Sequence, residues 1–318
     1  MIATLGEALV DLIEQKDGLF RACLGGSVCN FSLALARQNV RVRYLNPLSA
    51  DTFGDRFFSL LANDGVDLGK TPRSPSPTSL AVVSLDEQGS PTYAFHRQDV
   101  ADRDIDADTL AAGFPEDMNL LHTGGLALVS ADLEKVLATV SRAAALGAII
   151  SIDANLRPMA VTAVGEYVDG VWQALRQAHI AKVSDEDLEV LGCAGASRSE
   201  LTRLFFDDTA LQLLAVTRGA HGATLLTRQY AVTQTAPQNI VVVDTVGAGD
   251  CFHAGLIAYL LHAGVLGSAG GLAQLDIDVS RSALRHAVAS ATLNIMRAGC
   301  DPARWDQVQT LSAAFAED

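Results

Sequence analysis

The sequence predicts an α/β protein: a mostly parallel central sheet flanked by helices on both faces, with a small separate sheet beside it. Three observations carry this. From about residue 120 onward, short apolar runs alternate with stretches of helical periodicity, the rhythm of successive strand–helix–strand units. Two hairpin patterns, over 7–24 and 78–97, break that rhythm; a lone hairpin is marginal in water, so the pair is expected to form one sheet. Finally, 49% of the 318 residues are apolar, ample for a core of that size.

Taken in order, residues 2–5 read as a first, central strand ending at Gly6. Residues 7–24 alternate apolar and polar side chains around Gln15-Lys16-Asp17-Gly18, a hairpin with one dry face. Ser27 stands as N-cap to a helix over 28–38. A short strand over 42–45 and a helix over 51–63 follow, and Gly65-Val66-Asp67 starts a linker. The second hairpin pairs 78–85 with 91–97 around Asp86-Glu87-Gln88-Gly89. Beyond it, strands are expected over 120–123, 148–153, 180–183, 214–217, 224–227 and 240–243. Helices are expected near 131–146, 164–178, 184–191, 197–206, 251–261 and 282–296, with 264–271 a small-residue loop. Ligands of such sheets sit at the carboxyl ends of strands, so Gly6, Asp153, Ser184 and Asp244 should gather on one rim.

Composition excludes several classes of function. Lys+Arg 23 against Asp+Glu 37 gives a net charge of −14, which argues against nucleic acid and anionic membranes as partners. The five cysteines are scattered, without metal-ligand spacing, as expected in a reducing cytosol. The opening lacks a basic segment, and Glu7 and Asp11 interrupt its apolar run, so a signal peptide is not expected. The apolar helix around 254–261 is too short to span a bilayer. The expected location is cytoplasmic. Residues 65–71 nearly spell a phosphate-binding loop, but one residue is missing before Gly69-Lys70, and Pro72, Pro75 and Pro77 bar the helix that must follow. No GxGxxG follows the first strand, where Gly6-Glu7-Ala8-Leu9 stands instead, so a nicotinamide dehydrogenase is disfavoured.

The chemistry concentrates in Asp244-Thr245-Val246-Gly247-Ala248-Gly249-Asp250, between the expected strand 240–243 and the apolar helix that follows. A small-residue turn at a helix start aims backbone N–H groups at one spot, and the helix dipole adds positive charge there: an anion site. Asp250, in the first turn, can cap the helix or act as a base beside that site.

That string reads as the Asp-Thr-x-Gly-Ala-Gly-Asp motif of the ribokinase-like (PfkB) carbohydrate kinases, and Gly25-Gly26-Ser27-Val28-Cys29-Asn30 resembles the family's Gly-Gly-x-x-x-Asn sugar-binding stretch. The resemblance covers nearly the whole chain in the expected order. It implies one ribokinase-like domain over 1–318, with a β-lid drawn from roughly 8–24 and 78–100 that closes over a sugar. It also implies ATP-dependent phosphoryl transfer. Asp250 would be the base, the N–H groups of Gly247, Ala248 and Gly249 would form the anion hole, and Mg²⁺ would bridge the phosphates. Many members also bind a monovalent cation such as K⁺, which would lie near Asp244 and Gly299.

On the sugar side, the resemblance assigns Asp11, Gly25, Gly26 and Asn30. Arg97, followed by Ala101-Asp102, is similar to fructokinases; a surface arginine at a hairpin end is the plainer reading. Asp153-Ala154-Asn155-Leu156-Arg157 resembles the family's Asp-x-Asn-x-Arg stretch, with Arg157 facing phosphate or sugar. On the nucleotide side stand Lys182 and Ser184, Thr217, Gly219 and Gly222 of a Thr-x-Gly-x-x-Gly loop, and Asn294 beside the adenine. Lys182-Val183-Ser184-Asp185-Glu186-Asp187 departs from the family pattern by ending in Asp187 rather than Glu, so Glu186 competes for the indirect magnesium role. Its plainer reading is a helix N-terminus capped by Ser184. Cys29 and Cys251 read as packing groups.

For the substrate, Gly6-Glu7-Ala8-Leu9-Val10-Asp11 resembles fructokinases and 2-keto-3-deoxygluconate kinases more than ribokinase or nucleoside-type kinases. An acidic sugar needs a dedicated cation, and Arg97 is the one the motifs leave for it. Ala101-Asp102, Lys182-Val183-Ser184-Asp185 and 121–128 favour fructose, phosphorylated at C6. A catalytically inactive sugar-binding regulator is the reading from another class. Exposed lid strands would suit a homodimer.

Overall fold

Strands that are apolar on both faces must be covered on both, and the register shows how. The computed structural model describes residues 1–15, 17–85, 91–267 and 269–315. Its strands are β1 (Ile2–Leu5), β2 (Leu9–Glu14), β3 (Phe20–Gly25), β4 (Val42–Tyr44), β5 (Leu48–Ser49), β6 (Arg73–Ser74) and β7 (Ser79–Leu85). There follow β8 (Pro91–His96), β9 (Leu120–Gly124), β10 (Ile149–Asp153), β11 (Ile180–Ser184), β12 (Leu213–Thr217), β13 (Ala223–Leu226) and β14 (Ala231–Gln234). Eight of them form the central sheet in the order β14-β13-β12-β11-β10-β9-β1-β4, antiparallel only where β13 and β14 join. Ile2, Leu120, Ile149, Ile180 and Leu213 share one face and one apolar cluster. Their neighbours Ala3, Leu121, Ile150, Ala181 and Leu214 feed the other. The first face is covered by helices Ser27–Arg37, Thr52–Asn63, Ala248–His262 and Ile277–Ile295, the second by Ser130–Ala145, Val164–Leu175 and Arg198–Phe206.

The two hairpins form one four-stranded sheet, β3-β2-β7-β8, joined by the parallel pair β2–β7. Lys16 and Asp86-Glu87-Gln88-Gly89, in the two expected turns, lie outside the described residues. The expected linker after Gly65 instead carries β6, which pairs with β5. Helices Ala107–Ala112 and Trp305–Ala314 and strand β14 have no counterpart in the expectations from sequence, and a short helix, Ala269–Leu272, overlaps the end of the expected loop.

One expectation fails at an important place. Residues 240–243 are not a strand, and Asp244 is not at a strand end. Val241, Val242 and Val243 are 76%, 53% and 56% exposed, and the segment is tied to the fold by the Val243 and Asp244 N–H groups, both donating to the Ile295 carbonyl at 2.8 and 3.2 Å. An apolar β-branched run reports strand propensity but not whether a sheet position is available. Here the outer position beside β13 is filled by β14. We therefore expect Val242→Thr to cost under about 0.5 kcal/mol, as at an ordinary surface site. Val216→Thr, the same isosteric change inside β12, should cost about 1–3 kcal/mol for its buried hydroxyl. Equal losses in thermal unfolding would restore a buried strand at 240–243.

Candidate active site

The rim follows from register. Parallel pairing aligns Leu5 with Thr123, Gly124 with Asp153, Asp153 with Lys182, and Ser184 with Thr217. Three of the four residues expected at strand ends, Gly6, Asp153 and Ser184, thus share the carboxyl edge, and Asp244 approaches on a loop. Asp250 lies in the first turn of helix Ala248–His262, whose preceding residue, Gly247, has φ 74°. A Cβ on Gly247 would lie 2.4 Å from Cys300 Sγ, so that position needs glycine's lack of a side chain, while one on Gly249 would come within 3.1 Å of Lys182 Nζ and press on the buried ammonium. The Ala248 N–H donates to the Thr245 carbonyl at 3.2 Å. The N–H groups of Gly249 and Asp250, at the helix start, have no acceptor within their own helix.

Asp250 is buried, and both its oxygens are held from across the chain. Ser27 Oγ donates to Oδ1 at 2.7 Å and Asn30 Nδ2 to Oδ2 at 2.9 Å. Ser27 is therefore not the N-cap. Gly26 occupies the cap position with φ 104°, and no side chain caps the helix. The hydroxyl is spent on Asp250, while the Ser27 N–H donates to Glu7 Oε1 at 3.1 Å. Burial pushes the Asp250 carboxyl above its ordinary range, and the Asn30 and Ser27 hydrogen bonds oppose that shift.

Beneath Asp250, Lys182 Nζ stands 3.1 Å from Asp153 Oδ1, both side chains buried, in a geometry too bent for a regular hydrogen bond. Burial alone would lower the ammonium, but Asp153, Asp187 and Asp250 together raise it, so it stays charged. Asp153 Oδ2 lies 3.9 Å from His253 Nδ1, and Ser151 Oγ bridges His253 Nε2 and His122 Nδ1 at 3.0 and 3.1 Å. Burial depresses His253 to about 3, so it is neutral.

Asp187 closes a capping box. Its Oδ2 accepts from the Ser184 N–H at 2.8 Å, its Oδ1 from the Leu156 N–H at 2.7 Å, and Ser184 Oγ accepts from the Asp187 N–H at 3.0 Å. The carboxylate anchors the loop carrying Asn155, at φ 37°, and exposed Arg157.

On the lid, Asp11 pairs with Cys23 and Ala81, and a Cβ on Gly25 would come within 2.9 Å of its Oδ2. At Gly26 a Cβ would fall 2.5 Å from the Glu7 carbonyl. Burial raises Asp11 to about 6, with Arg157 opposing. Arg97 is not a surface residue at a hairpin end: it is buried, with Nη2 2.6 Å from Asp102 Oδ2 and Nη1 donating to the Leu126 carbonyl at 3.2 Å. Ser79 Oγ holds the other Asp102 oxygen. Burial also raises Glu7 to about 7.

On the far side, Thr217 ends β12, and the loop turns at Gly219 (φ 47°) and Gly222 (φ 85°), where a Cβ would strike the Gln234 carbonyl at 2.0 Å. Asn294 is buried; its Nδ2 donates to the Val246 carbonyl at 2.8 Å, and its Oδ1 accepts from the Asp301 N–H at 3.0 Å. Its amide fastens two loops and is not directed at an open pocket. Asp244 fastens the same loops, accepting from the Val246 N–H at 3.0 Å and the Gly299 N–H at 2.8 Å. Glu7 and Ser27 were missed as site residues; a glutamate directly after the first strand's glycine was the available signal for Glu7, and Ser27 offered none beyond its motif.

Lys182→Met keeps side-chain length but leaves Asp153 and Asp250 buried beside no cation. We expect about 3–5 kcal/mol of lost stability in denaturant unfolding. A loss below about 1 kcal/mol would mean that the pair is not a compensated buried charge.

The sequence profile of the pfkB family carbohydrate kinases matches residues 1–306. A fructokinase from Rhizobium leguminosarum bv. trifolii is 30% identical over 264 residues, 82% of this chain and 79% of that protein. A Salmonella typhimurium fructokinase is 31% identical over 265 residues, 80% of this chain and 83% of that protein. Among solved structures, the fructokinase with bound ATP from Xylella fastidiosa superposes with TM-score 0.86 at 28% identity, covering 99% and 98% of the two chains. The Vibrio cholerae O395 fructokinase in its fructose, ADP and calcium ion bound form gives TM-score 0.80 at 25% identity, covering 99% and 98%. The fold is ribokinase-like, and the chain belongs to the pfkB family of carbohydrate kinases.

Proposed function

We propose that this kinase transfers the γ-phosphoryl group of ATP to the C6 hydroxyl of fructose, with Asp250 as general base. The observation that carries the reading is the Asp250 carboxylate: buried, doubly held, and set in the first turn of a helix whose N–H groups face the rim. As the sugar oxygen attacks the γ-phosphorus, its proton passes to Asp250 and the bond to the ADP oxygen breaks. The N–H groups of Gly247, Ala248 and Gly249 are assigned to the charge on the transferring group. That of Ala248 is shared with the Thr245 carbonyl. Asp11, Gly25, Gly26, Asn30 and Arg157 are assigned to the sugar side, and Lys182, Ser184, Thr217, Gly219, Gly222 and Asn294 to positioning ATP, the last by fastening its loops.

Among the described residues no cluster of three His, Cys, Asp or Glu side chains is arranged to hold a metal ion. Asp187 spends both oxygens on backbone N–H groups. Mg²⁺ therefore fits as an ion carried in by the nucleotide and met through water by Glu186 or Asp187, where it neutralises phosphate charge. A monovalent cation such as K⁺ belongs, on this reading, at the clamp between Asp244 and Gly299. The kinase is placed in the cytoplasm. It is assigned as a homodimer through the lid, whose edge residues Phe20 and Tyr93 are exposed.

Fructose is favoured over 2-keto-3-deoxygluconate by the commitment of Arg97. A cation already neutralising buried Asp102 cannot turn to a substrate carboxylate without stranding its partner. Asp11, whose ionised form accepts at both oxygens and donates from neither, suits the vicinal hydroxyls of a neutral sugar.

Asp250→Asn should lower kcat by roughly 10²–10⁴-fold with ATP affinity unchanged. More than about a tenth of the rate surviving would remove Asp250 from the role of base. Because burial raises the Asp250 carboxyl and only its ionised form accepts the proton, activity should fall on acidification at a higher pH than for a free aspartate. In a coupled ADP-release assay, kcat/KM for fructose should exceed that for 2-keto-3-deoxygluconate. The reverse order would leave a kinase of acidic sugars.

A further inference from the structure

We propose that Ser27 is the positioning residue of the base: it anchors Asp250 Oδ1, keeps the carboxylate ionised, and leaves Oδ2 as the atom that meets the sugar. This rests on Asp250 being the base and adds which oxygen acts and what restrains it.

The geometry separates the two oxygens. Ser27 Oγ, at 2.7 Å, commits its one proton to Oδ1. Ser27 is itself fixed, because its N–H is held by Glu7 Oε1 at 3.1 Å and the preceding Gly26 has no room for any side chain. A buried hydroxyl that let go of Oδ1 would strand its own proton. Asn30 is different. Its amide, 2.9 Å from Oδ2, has two N–H donors and a carbonyl, so it can move to a sugar hydroxyl and still be satisfied. An arriving O–H therefore displaces Asn30 and takes Oδ2, which reconciles the Asn30–Asp250 contact with a sugar-binding Asn30.

The surroundings say why an uncharged donor is useful. Lys182 on β11 faces Asp250 and favours its ionised form; Asp153 on β10 and burial oppose it. The thiols of Cys29, on the Ser27 helix, and Cys251, on Asp250's own helix, also lie within its field. Ser27 supports ionisation without adding a positive charge next to the base.

The test is the pH dependence of kcat/KM for fructose at saturating ATP. Ser27→Ala should move the acidic limb upward by about one pH unit, since losing the hydrogen bond favours the protonated form. Turnover below the limb should fall about tenfold and converge on the parent at higher pH, with KM for ATP unchanged. Ser27→Thr keeps the hydroxyl and should restore the limb. Asn30→Ala should also move the limb upward, since its hydrogen bond supports the ionised carboxylate of the free enzyme, and should in addition raise KM for fructose, which Ser27→Ala should leave nearly unchanged. An unmoved limb, or a loss uniform across pH, overturns the proposal; if Ser27→Ala fails to fold, Ser27→Cys, a much weaker donor, must show the same upward shift. Asp250→Asn measured alongside separates the failures. If it is inactive while the Ser27 limb stays put, only this inference falls; if it stays active, the base assignment falls first.

Discussion

Everything at the rim depends on keeping one carboxylate ionised inside protein. Burying an unpaired charge costs several kcal/mol or more, and the group would otherwise simply take up a proton. Asp250 avoids this through contacts with residues 223 and 220 positions away, plus a buried ammonium below it. Those contacts require helix Ser27–Arg37 to pack hard against the end of β1, which explains Gly6: a Cβ there would lie 2.3 Å from Val28 Cγ2. They also require a turn at Gly25-Gly26 tight enough to bring the end of the lid directly onto the helix start. The end of the small sheet, the first helix and helix Ala248–His262 thus meet around Asp250.

The same demand shapes the layer beneath. Helix Ala248–His262 is buried on nearly all sides, between the sheet and helices Ser27–Arg37 and Ile277–Ile295. It nevertheless carries His253 inward. That imidazole is tolerable because burial keeps it neutral and Ser151, a hydroxyl that can donate to one ring and accept from another, links it to His122. Phe31 stacks on His122 at 3.6 Å between centroids, so apolar packing and the polar chain share the same residues. The Lys182–Asp153 pair closes this chain at the rim.

The parts legible in the sequence were those where local pattern and tertiary role agree. Alternating strands and helices gave the parallel sheet; the two-period hairpins gave the small second sheet; and within the glycine motifs Gly26, Gly222 and Gly247 mark turns with no room for a Cβ. Reading failed where a residue's role depends on something distant. Residues 240–243 have strand composition, but the place beside β13 belongs to β14. Ser27 has the right residue type for an N-cap, yet a carboxylate from the other end of the chain claims its hydroxyl. Asp187 follows the capping-box spacing from Ser184, but its second bond, to the Leu156 N–H, and the loop-fastening of Asn294 and Asp244 answer to no spacing rule.

Arg97 shows how such a distant partner alters function. Its guanidinium joins the end of the second lid hairpin to Asp102 and to the Leu126 carbonyl, and Arg103, paired with Asp132 at 2.6 Å, donates to the Arg97 carbonyl at 2.7 Å. This is a brace between lid and core. Truncating Arg97 would leave Asp102 buried and uncompensated, so the brace cannot be lent to a ligand at low cost. Two further carboxyls lie at this end of the small sheet, Asp11 on β2 and Glu7 just before it, both raised by burial, while Arg157 is exposed. Ionised, such carboxyls accept from hydroxyls and repel a second carboxylate; protonated, they donate to hydroxyls instead. With its arginine committed in this way, the sugar site proposed above is matched to a neutral polyol.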